Sequence, residues 1–506
     1  MTPSAPPSVP VLTSAQAGSL EAALLRGDER LEWQAMQRAG EAVAAAALGD
    51  LGEAGGMPAQ GRLLVLAGKG NNAGDAFIAA RKVLERHPGV SVDVILAFGP
   101  LHLKPLASRA WRELCEAAAS RLRSVGAADL LRSYDLCLDG IFGFQYRPPL
   151  PAEAAAAIAA SLKADIRLRA AVDLPTGLGE PGAFGADFTY ATGSVKAPLL
   201  GCANAGRPRF LDLGFFSGSE PAWGHGTDRV LLRSILKPLA ALRPPGSDKR
   251  SQGHLVIVGG SGRFPGAVLM STLAALRSGA GLVTAFVPER LAPAFAARAP
   301  EAMWVGLPET PEGGIARGGL ARITEVMGRA SALEVGPGLG RDPDSLGLIL
   351  ELVGSSGLPL VIDADALQPD IVRAGRAPRI LTPHAGEFAR IARGEELAAL
   401  CTEVGGVVIR KGPVTAVCAG DTVYHSFFGG PVLSRGGSGD LLSGLAGGLL
   451  AQTPGDPLLA ACRATVWHGA AADLLARAHG QTAVQTAQLL DYLGAALRES
   501  AACPEC

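Results

Sequence analysis

Arg62-Leu-Leu-Val-Leu-Ala67, then Gly68-Lys-Gly-Asn-Asn-Ala-Gly-Asp-Ala76, a helical stretch through Arg86 and Val90-Ser-Val-Asp-Val-Ile-Leu96 together decide the fold class. Short apolar runs separated by a Gly-rich loop and a helix predict parallel strands, because strands covered on both faces lose polar-apolar alternation. Leu136-Cys-Leu-Asp139, Arg169-Ala-Ala-Val-Asp173 and Arg209-Phe-Leu-Asp-Leu213 continue the series, each with an acidic residue at or near its end. A second strand-loop-helix series starts at His254-Leu-Val-Ile-Val-Gly-Gly-Ser-Gly262. Its later strands are Ala332-Leu-Glu-Val335, Leu360-Val-Ile-Asp363, Arg379-Ile-Leu-Thr382 and Val407-Val-Ile-Arg410, and its last helices run from about Asp440. Both halves read as α/β with buried parallel sheets.

Around these two series the chain divides into a Pro-rich lead expected to stay outside the fold (1–18), a first domain (19–215), a linker (216–246), a second domain (247–497) and a tail (498–506). A helix is expected from Ser19 to Leu48. At about 150 residues per domain, 506 residues exclude a single small module. Lys and Arg number 46 against 47 Asp and Glu, so no global field would gather nucleic acid or anionic lipid, and neither is expected as a partner. Met1 to Leu25 contains no Lys or Arg, so the charged n-region of a secretory signal is not expected there, and no later run reaches the roughly 20 apolar residues of a membrane span. The eight cysteines are scattered; only Cys503-Pro-Glu-Cys506 has metal-type spacing, and it reads as a frayed tail. The expectation is a reduced, cytoplasmic protein. Glycine is in excess, at 66 residues, which points to tight turns, close packing and ligand loops.

Gly68 to Ala76 lies between a strand and a helix, where free N–H groups and the helix dipole can hold an anion. It is neither a Walker A loop nor Gly-x-Gly-x-x-Gly. Its Asn and Asp oxygens can also meet a hard or monovalent cation; a plain hydrogen-bonded turn is the competing reading. Two further strand ends, Asp139-Gly-Ile-Phe-Gly143 and Asp173-Leu-Pro-Thr-Gly177, would open on the same sheet edge. These three motifs, with Met36-Gln-Arg-Ala-Gly40 upstream, resemble the NAD(P)H-hydrate epimerase family. The resemblance implies a Rossmann-like three-layer α/β/α domain in which Asn71, Asn72, Ala73, Gly74, Asp75 and Gly143 contact the hydrated dinucleotide. It implies potassium bound by Asn72, Asp139 and Thr176, with Asp173 binding substrate and acting as acid/base. Lys196 falls where the family has a lysine near a strand end; a solvated lysine is the alternative. Ala73 and Ala76 replace family glycines, and the Cβ of Ala73 is expected to strain a positive-φ loop by roughly 1 kcal/mol or more.

In the second half Leu433-Ser-Arg-Gly-Gly-Ser-Gly-Asp440 opens a helix. Phosphoryl transfer to an alcohol needs such N–H donors for charge on the transferring group and a carboxylate for the hydroxyl proton. Lys411-Gly-Pro-Val-Thr415, Thr382-Pro-His-Ala-Gly-Glu387, Gly336-Pro-Gly-Leu-Gly340, Val361-Ile-Asp-Ala-Asp365 and Gly259 to Ala267 all follow strands. The set is similar to the ADP/ATP-dependent NAD(P)H-hydrate dehydratase family, with a ribokinase-like, mainly parallel sheet. By that resemblance Ala267, Gly338, His384 and Asp440 meet the hydrated nucleotide. Lys411, Gly412, Pro413, Val414, Thr415 and Gly439 hold ADP or ATP with magnesium, and Asp440 is the base. Asp363 and Asp365 orient magnesium or water, or cap structure.

The resulting expectation is a two-domain enzyme that epimerises and dehydrates NADHX and NADPHX, working as a homo-oligomer. Its rival is a ribokinase-like small-molecule kinase with a non-catalytic nucleotide-binding first domain.

Overall fold

The computed structural model describes residues 5–216 and 228–502. The chain forms two compact units. Among the described residues, one comprises 9–216 with 476–483, and the other 5–8, 228–475 and 484–502.

The first unit is a seven-stranded sheet in the order Arg207–Leu211, Phe188–Thr192, Arg169–Val172, Leu136–Gly140, Arg62–Ala67, Ser91–Leu96, Leu122–Ser124, paired in parallel throughout. Leu63, Val65 and Ala67 pack on one face against the helices Glu29–Leu51, Asn71–Arg86 and Pro105–Ala118, while Leu64 and Leu66 pack on the other against Ala152–Ser161. The run at 63–67 is continuously apolar because period-two side chains meet a covered face on both sides.

The lead is folded earlier than its composition suggested. Ser8–Leu12 is a strand whose Val9 and Leu12 are buried, and Thr13 caps the helix Ser14–Leu25 through a reciprocal box with Gln16. The expected single helix is two, broken where Arg26 and Gly27 turn with φ of 54° and 64°; Glu29–Leu51 then starts on the Asp28 cap. Met36 and Gly40, one turn apart, interlock with the next helix. A Cβ on Gly74 would sit 2.5 Å from Met36 Sδ, and one on Gly40 2.6 Å from Ile78. The first part of the motif at 36–40 therefore works by close helix packing.

The expected strain at Ala73 is absent. The helix opens at Asn71 on the extended Gly70, so Ala73 and Ala76 stand on right-handed helical backbone, where a Cβ is favourable. Room for Ala76 comes from Gly140, whose own Cβ would approach Ala76 to 2.6 Å.

In the second unit the strand order is Asp228–Leu231, Thr422–Ser426, Thr415–Ala419, Val407–Arg410, Arg379–Leu381, Leu360–Ile362, Ala332–Val335, His254–Val258, Leu282–Pro288, Met303–Leu307. Pairing is parallel except at the meander that joins Val407–Arg410, Thr415–Ala419 and Thr422–Ser426. Within the 216–246 stretch read as a linker, Asp228–Leu231 is a sheet strand and Arg233–Ala240 a 3-10 turn; the Ser217 to Thr227 part lies outside the described residues. The helix Leu489–Ala502 runs through the start of the expected tail, and Cys503-Pro-Glu-Cys506 lies outside the described residues. Pro265–Arg277 and Ser438–Gln452 cross closely: a Cβ on Gly444 would meet the Ser271 carbonyl oxygen at 2.1 Å, and one on Gly448 Ser278 Oγ at 2.0 Å. Among the described residues no helix is long and apolar enough to cross a membrane.

Candidate functional sites

In the first unit a cavity of about 500 Å³ opens at the C-terminal ends of the strands, lined by Asn71, Asn72, Asp75, Gly143, Asp173 and Thr192 among others. Asn72 Nδ2 is buried with no hydrogen-bond partner. Asp173 adopts φ 66°, a left-handed conformation that Asp tolerates better than most residues. Its Oδ2 accepts from the Phe144 N–H at 3.0 Å, and its Oδ1 pairs with Lys196 Nζ. Lys196 has no exposed surface, also donates to the Thr192 carbonyl at 3.2 Å, and lies 5.0 Å from the Phe144 ring centroid. The solvated-lysine alternative is thereby excluded: a buried ammonium needs such a partner.

Asp139 and Thr176 meet directly. Thr176 Oγ1 and N–H both donate to the Asp139 carboxylate at 2.7 Å, while Oγ1 accepts from the Phe142 N–H at 3.1 Å. Burial pushes the Asp139 carboxyl up to about 6, against the pull of these hydrogen bonds. Among the described residues Asp139 has no ion-pair partner and no group of three or more His, Cys, Asp or Glu could hold a metal ion. A buried carboxylate balanced only by dipoles, beside a hydroxyl, suits a weakly charged cation with oxygen ligands rather than zinc.

Lys69 and Glu21 are among the residues at this cavity that were not expected from the sequence as site residues. Lys69 stacks 4.2 Å from the centroid of the Phe98 ring, and Glu21 reaches the cavity from the helix Ser14–Leu25. Glu21 precedes every motif, and only the packing of its helix brings it in.

In the second unit the loops at 382–387, 411–415 and 436–440 converge. Lys411 Nζ lies 3.2 Å from Asp363 Oδ1 and 3.9 Å from Glu387 Oε2, and a Cβ on Gly439 would stand 3.0 Å from it. Lys411 N–H donates to the Pro383 carbonyl at 2.9 Å, tying two of the loops together, and Thr415 Oγ1 bonds the Gly412 carbonyl at 3.4 Å across Pro413 and Val414. Asp440 occupies the first turn of Ser438–Gln452, where the Ser438 N–H donates to the Arg435 carbonyl at 3.3 Å and those of Gly439 and Asp440 are free among the described residues. Burial, reinforced by Asp363 and opposed by Lys411, pushes its carboxyl up to about 7. His384 caps the helix Ala385–Ala392: its Nδ1 accepts from the Gly386 N–H at 3.0 Å, and Glu387 Oε2 accepts from the His384 N–H at 2.8 Å. Its ring stays largely exposed, so the cap and a ligand contact are compatible.

Gly338, with φ 64°, packs on Ala267: its Cβ would come within 3.0 Å of the Ala267 Cβ. Their chain neighbours Leu339 and Gly340, with Ser261, Phe264, Arg341 and Asp365, line a cavity of about 990 Å³, whose lining includes neither Gly338 nor Ala267. Asp363 accepts from Thr382 Oγ1 at 2.5 Å, and Asp365 accepts from the Gly340 N–H at 3.1 Å and pairs with Arg341 at 3.3 Å.

The sequence profile described as NAD(P)H-hydrate dehydratase matches residues 255–494, and that described as YjeF-related protein N-terminus matches residues 32–197. A bifunctional NAD(P)H-hydrate repair enzyme Nnr of Moorella thermoacetica is 34% identical over 474 residues, covering 88% of each chain. Its namesake in Gloeobacter violaceus is 35% identical, covering 92% of this chain and 93% of that one. Among solved structures, an ADP/ATP-dependent NAD(P)H-hydrate dehydratase from Bacillus subtilis, co-crystallised with ATP/Mg2+, is 26% identical with a TM-score of 0.46, covering 53% of this chain and 97% of that one. With both halves matched in one order along nearly its whole length, the chain belongs to the bifunctional NAD(P)H-hydrate repair enzyme family.

Proposed function

We propose that the first unit interconverts the R and S forms of NADHX and NADPHX and that the second dehydrates the S form at the expense of ADP or ATP. The observation that carries this reading is the pairing of two matched halves, each with carboxylates and a lysine gathered at its strand ends. The kinase rival is not favoured, since relatives spanning 88% or more of this chain carry the repair name.

In the second unit Asp440 takes the proton of the C6 hydroxyl as that oxygen attacks the terminal phosphorus of the nucleotide. The N1 lone pair then expels the phosphate as the C6–O bond breaks, and loss of a proton from C5 to water forms the C5=C6 bond, restoring the dihydronicotinamide. Lys411 and the free N–H groups at the start of Ser438–Gln452 face the charge on the transferring group. Gly412 to Thr415 and Gly439 hold the nucleotide, and Ala267, Gly338 and His384 the hydrated ring. Asp363 and Asp365 are committed to Lys411 and Arg341, so magnesium would arrive with the nucleotide, held by phosphate oxygens and water.

In the first unit Asn71 to Asp75 and Gly143 bind the dinucleotide, and Asp173, oriented by Lys196, moves a proton. Potassium would be held by Asn72, Asp139 and Thr176, where it would neutralise Asp139 and fix the loop that carries Gly143. We place the protein in the reducing cytoplasm as a homo-oligomer, with small molecules as its only partners; the free thiols of its six described cysteines support that compartment.

The test supplies pure S and pure R hydrate separately, with ADP or ATP, and follows recovery of reduced-nicotinamide absorbance. Recovery from S with nucleotide, and faster-than-spontaneous recovery from R, is the expected pattern. A stable phosphorylated product without recovered absorbance refutes the dehydratase reading.

A further inference from the structure

Gly18 and Glu21 stand one turn apart on the helix Ser14–Leu25, and so on one face. At Gly18 that face touches Phe144: a Cβ there would lie 3.7 Å from the ring. Phe144 is the residue whose N–H holds Asp173 and whose ring faces Lys196. Leu20, buried with Leu12, Ala39 and Phe215, anchors the helix. Glu21 therefore lines the same cavity as Asp173, and among the described residues its carboxyl makes no hydrogen bond or ion pair. The unpartnered Asn72 amide lines the cavity as well.

We propose that Glu21 is the second proton-transfer group of the first unit, partner to Asp173 in exchanging the R and S hydrates; the inference rests on the epimerase reading above. The hydroxyl-bearing C6 adjoins the ring nitrogen N1. To invert it, the C6–O bond breaks, the N1 lone pair forms a C=N bond, and the departing oxygen takes a proton and leaves as water. Water then adds to the other face, the C=N pair returns to nitrogen, and the added oxygen gives up a proton. Nothing is oxidised or consumed, but one group must deliver a proton while another receives one. Asp173, paired with buried Lys196, is the receiver. Glu21 is the donor: burial, opposed by Lys196 and reinforced by Asp173, pushes its carboxyl up to about 7. The charged groups around it are Lys196, Asp173 and Asp75, with Lys69, Lys104 and Arg147 also on the cavity wall.

The experiment compares the full chain with Glu21→Gln and Glu21→Asp between pH 5.5 and 9, scoring conversion of R to S hydrate above the spontaneous rate. Dehydration of pure S hydrate in the same preparations reports folding. Glu21→Gln should lower kcat for epimerisation about 100-fold with KM little changed, and should erase the limb near pH 7. Glu21→Asp should restore part of the rate, and dehydration should be unaffected in both. Wild-type kcat and pH limb in Glu21→Gln, or a loss confined to KM, overturns the proposal. If Glu21→Gln fails to fold, the decision falls to Glu21→Asp, where an unmoved limb overturns it. A wild-type chain that leaves R hydrate at its spontaneous rate refutes the epimerase reading itself, a result distinct from either.

Discussion

Replacing Glu334 with Gln should stabilise the second unit at neutral pH. Glu334 sits in the strand Ala332–Val335 with no exposed surface. Ser271 Oγ donates to its Oε1 at 2.6 Å, while Oε2 is buried without a hydrogen bond. Nearby Ser443 offers only a dipole, because its hydroxyl donates to the Asp440 carbonyl at 3.1 Å. Burial pushes the Glu334 carboxyl up to about 8, and repulsion from Asp363 and Asp440 adds to the shift. A folded-state value raised above the ordinary 4.5 means that the stability this group contributes is fully present below about pH 4.5 and is lost as pH rises toward 8. At about 1.4 kcal/mol per pH unit, wild type should lose roughly 3 kcal/mol relative to Glu334→Gln between pH 5 and 7.5. For a unit of this size that is roughly 5–10 °C in Tm. The assay is thermal unfolding of the full chain at both pH values, with the transition of the second unit identified by its upward shift with ADP and magnesium. Parallel pH profiles for the two proteins would refute the reasoning.

Asp440→Asn should reduce nucleotide-driven dehydration of S hydrate at least 100-fold while leaving the unfolding transitions and R-to-S conversion in place; retained dehydration removes Asp440 from the base role. Because Asp440 must be ionised to act and its carboxyl lies near 7, the dehydration rate should fall as pH drops through 7. Lys411→Met removes the cation that opposes this rise, so the acid limb should move to higher pH, and a limb that stays put assigns it to another group. Ala73→Gly, which restores the residue common in the family, should cost about 0.5–1 kcal/mol in denaturant unfolding and gain no epimerase activity, because position 73 is already helical.

The sheets and most of the site loops were legible because their signals are local: strand ends carry Asp139, Asp173, Asp363 and Lys411 in short motifs with fixed spacing. What was not legible depended on contacts distant in sequence. Glu21 lies outside every motif, well before the loop that starts at Gly68, and only the seat of its helix against Phe144 makes it a cavity residue. Lys196 could be singled out by resemblance, with a solvated lysine as the alternative, but its pairing with Asp173 depends on the strand ends that bring the two together. Ala73 was misjudged because a Gly-rich stretch reads as loop, whereas the helix claims it from Asn71 onward. Gly74 and Gly140 likewise serve packing, admitting Met36 and Ala76. Glu334 could have been noticed, since a charged residue amid Ala-Leu-x-Val in a covered strand is anomalous on sight.

The division of the chain bears on any attempt to split it. Residues 476–483 belong to the first unit although they come near the C-terminus, and residues 5–8 belong to the second although they precede the first unit in sequence. Asp50 is buried between Arg209 at 3.3 Å and Arg477 at 2.8 Å, and these two guanidiniums hold its carboxyl below the usual range despite burial. A gene truncated between the halves would deliver the first unit without Arg477 and the second without Ser8, which accepts from Arg229 at 2.8 Å. Fission into two independent polypeptides would therefore require new partners at both places, so the covalent order of the chain is itself a structural constraint on keeping the two activities together.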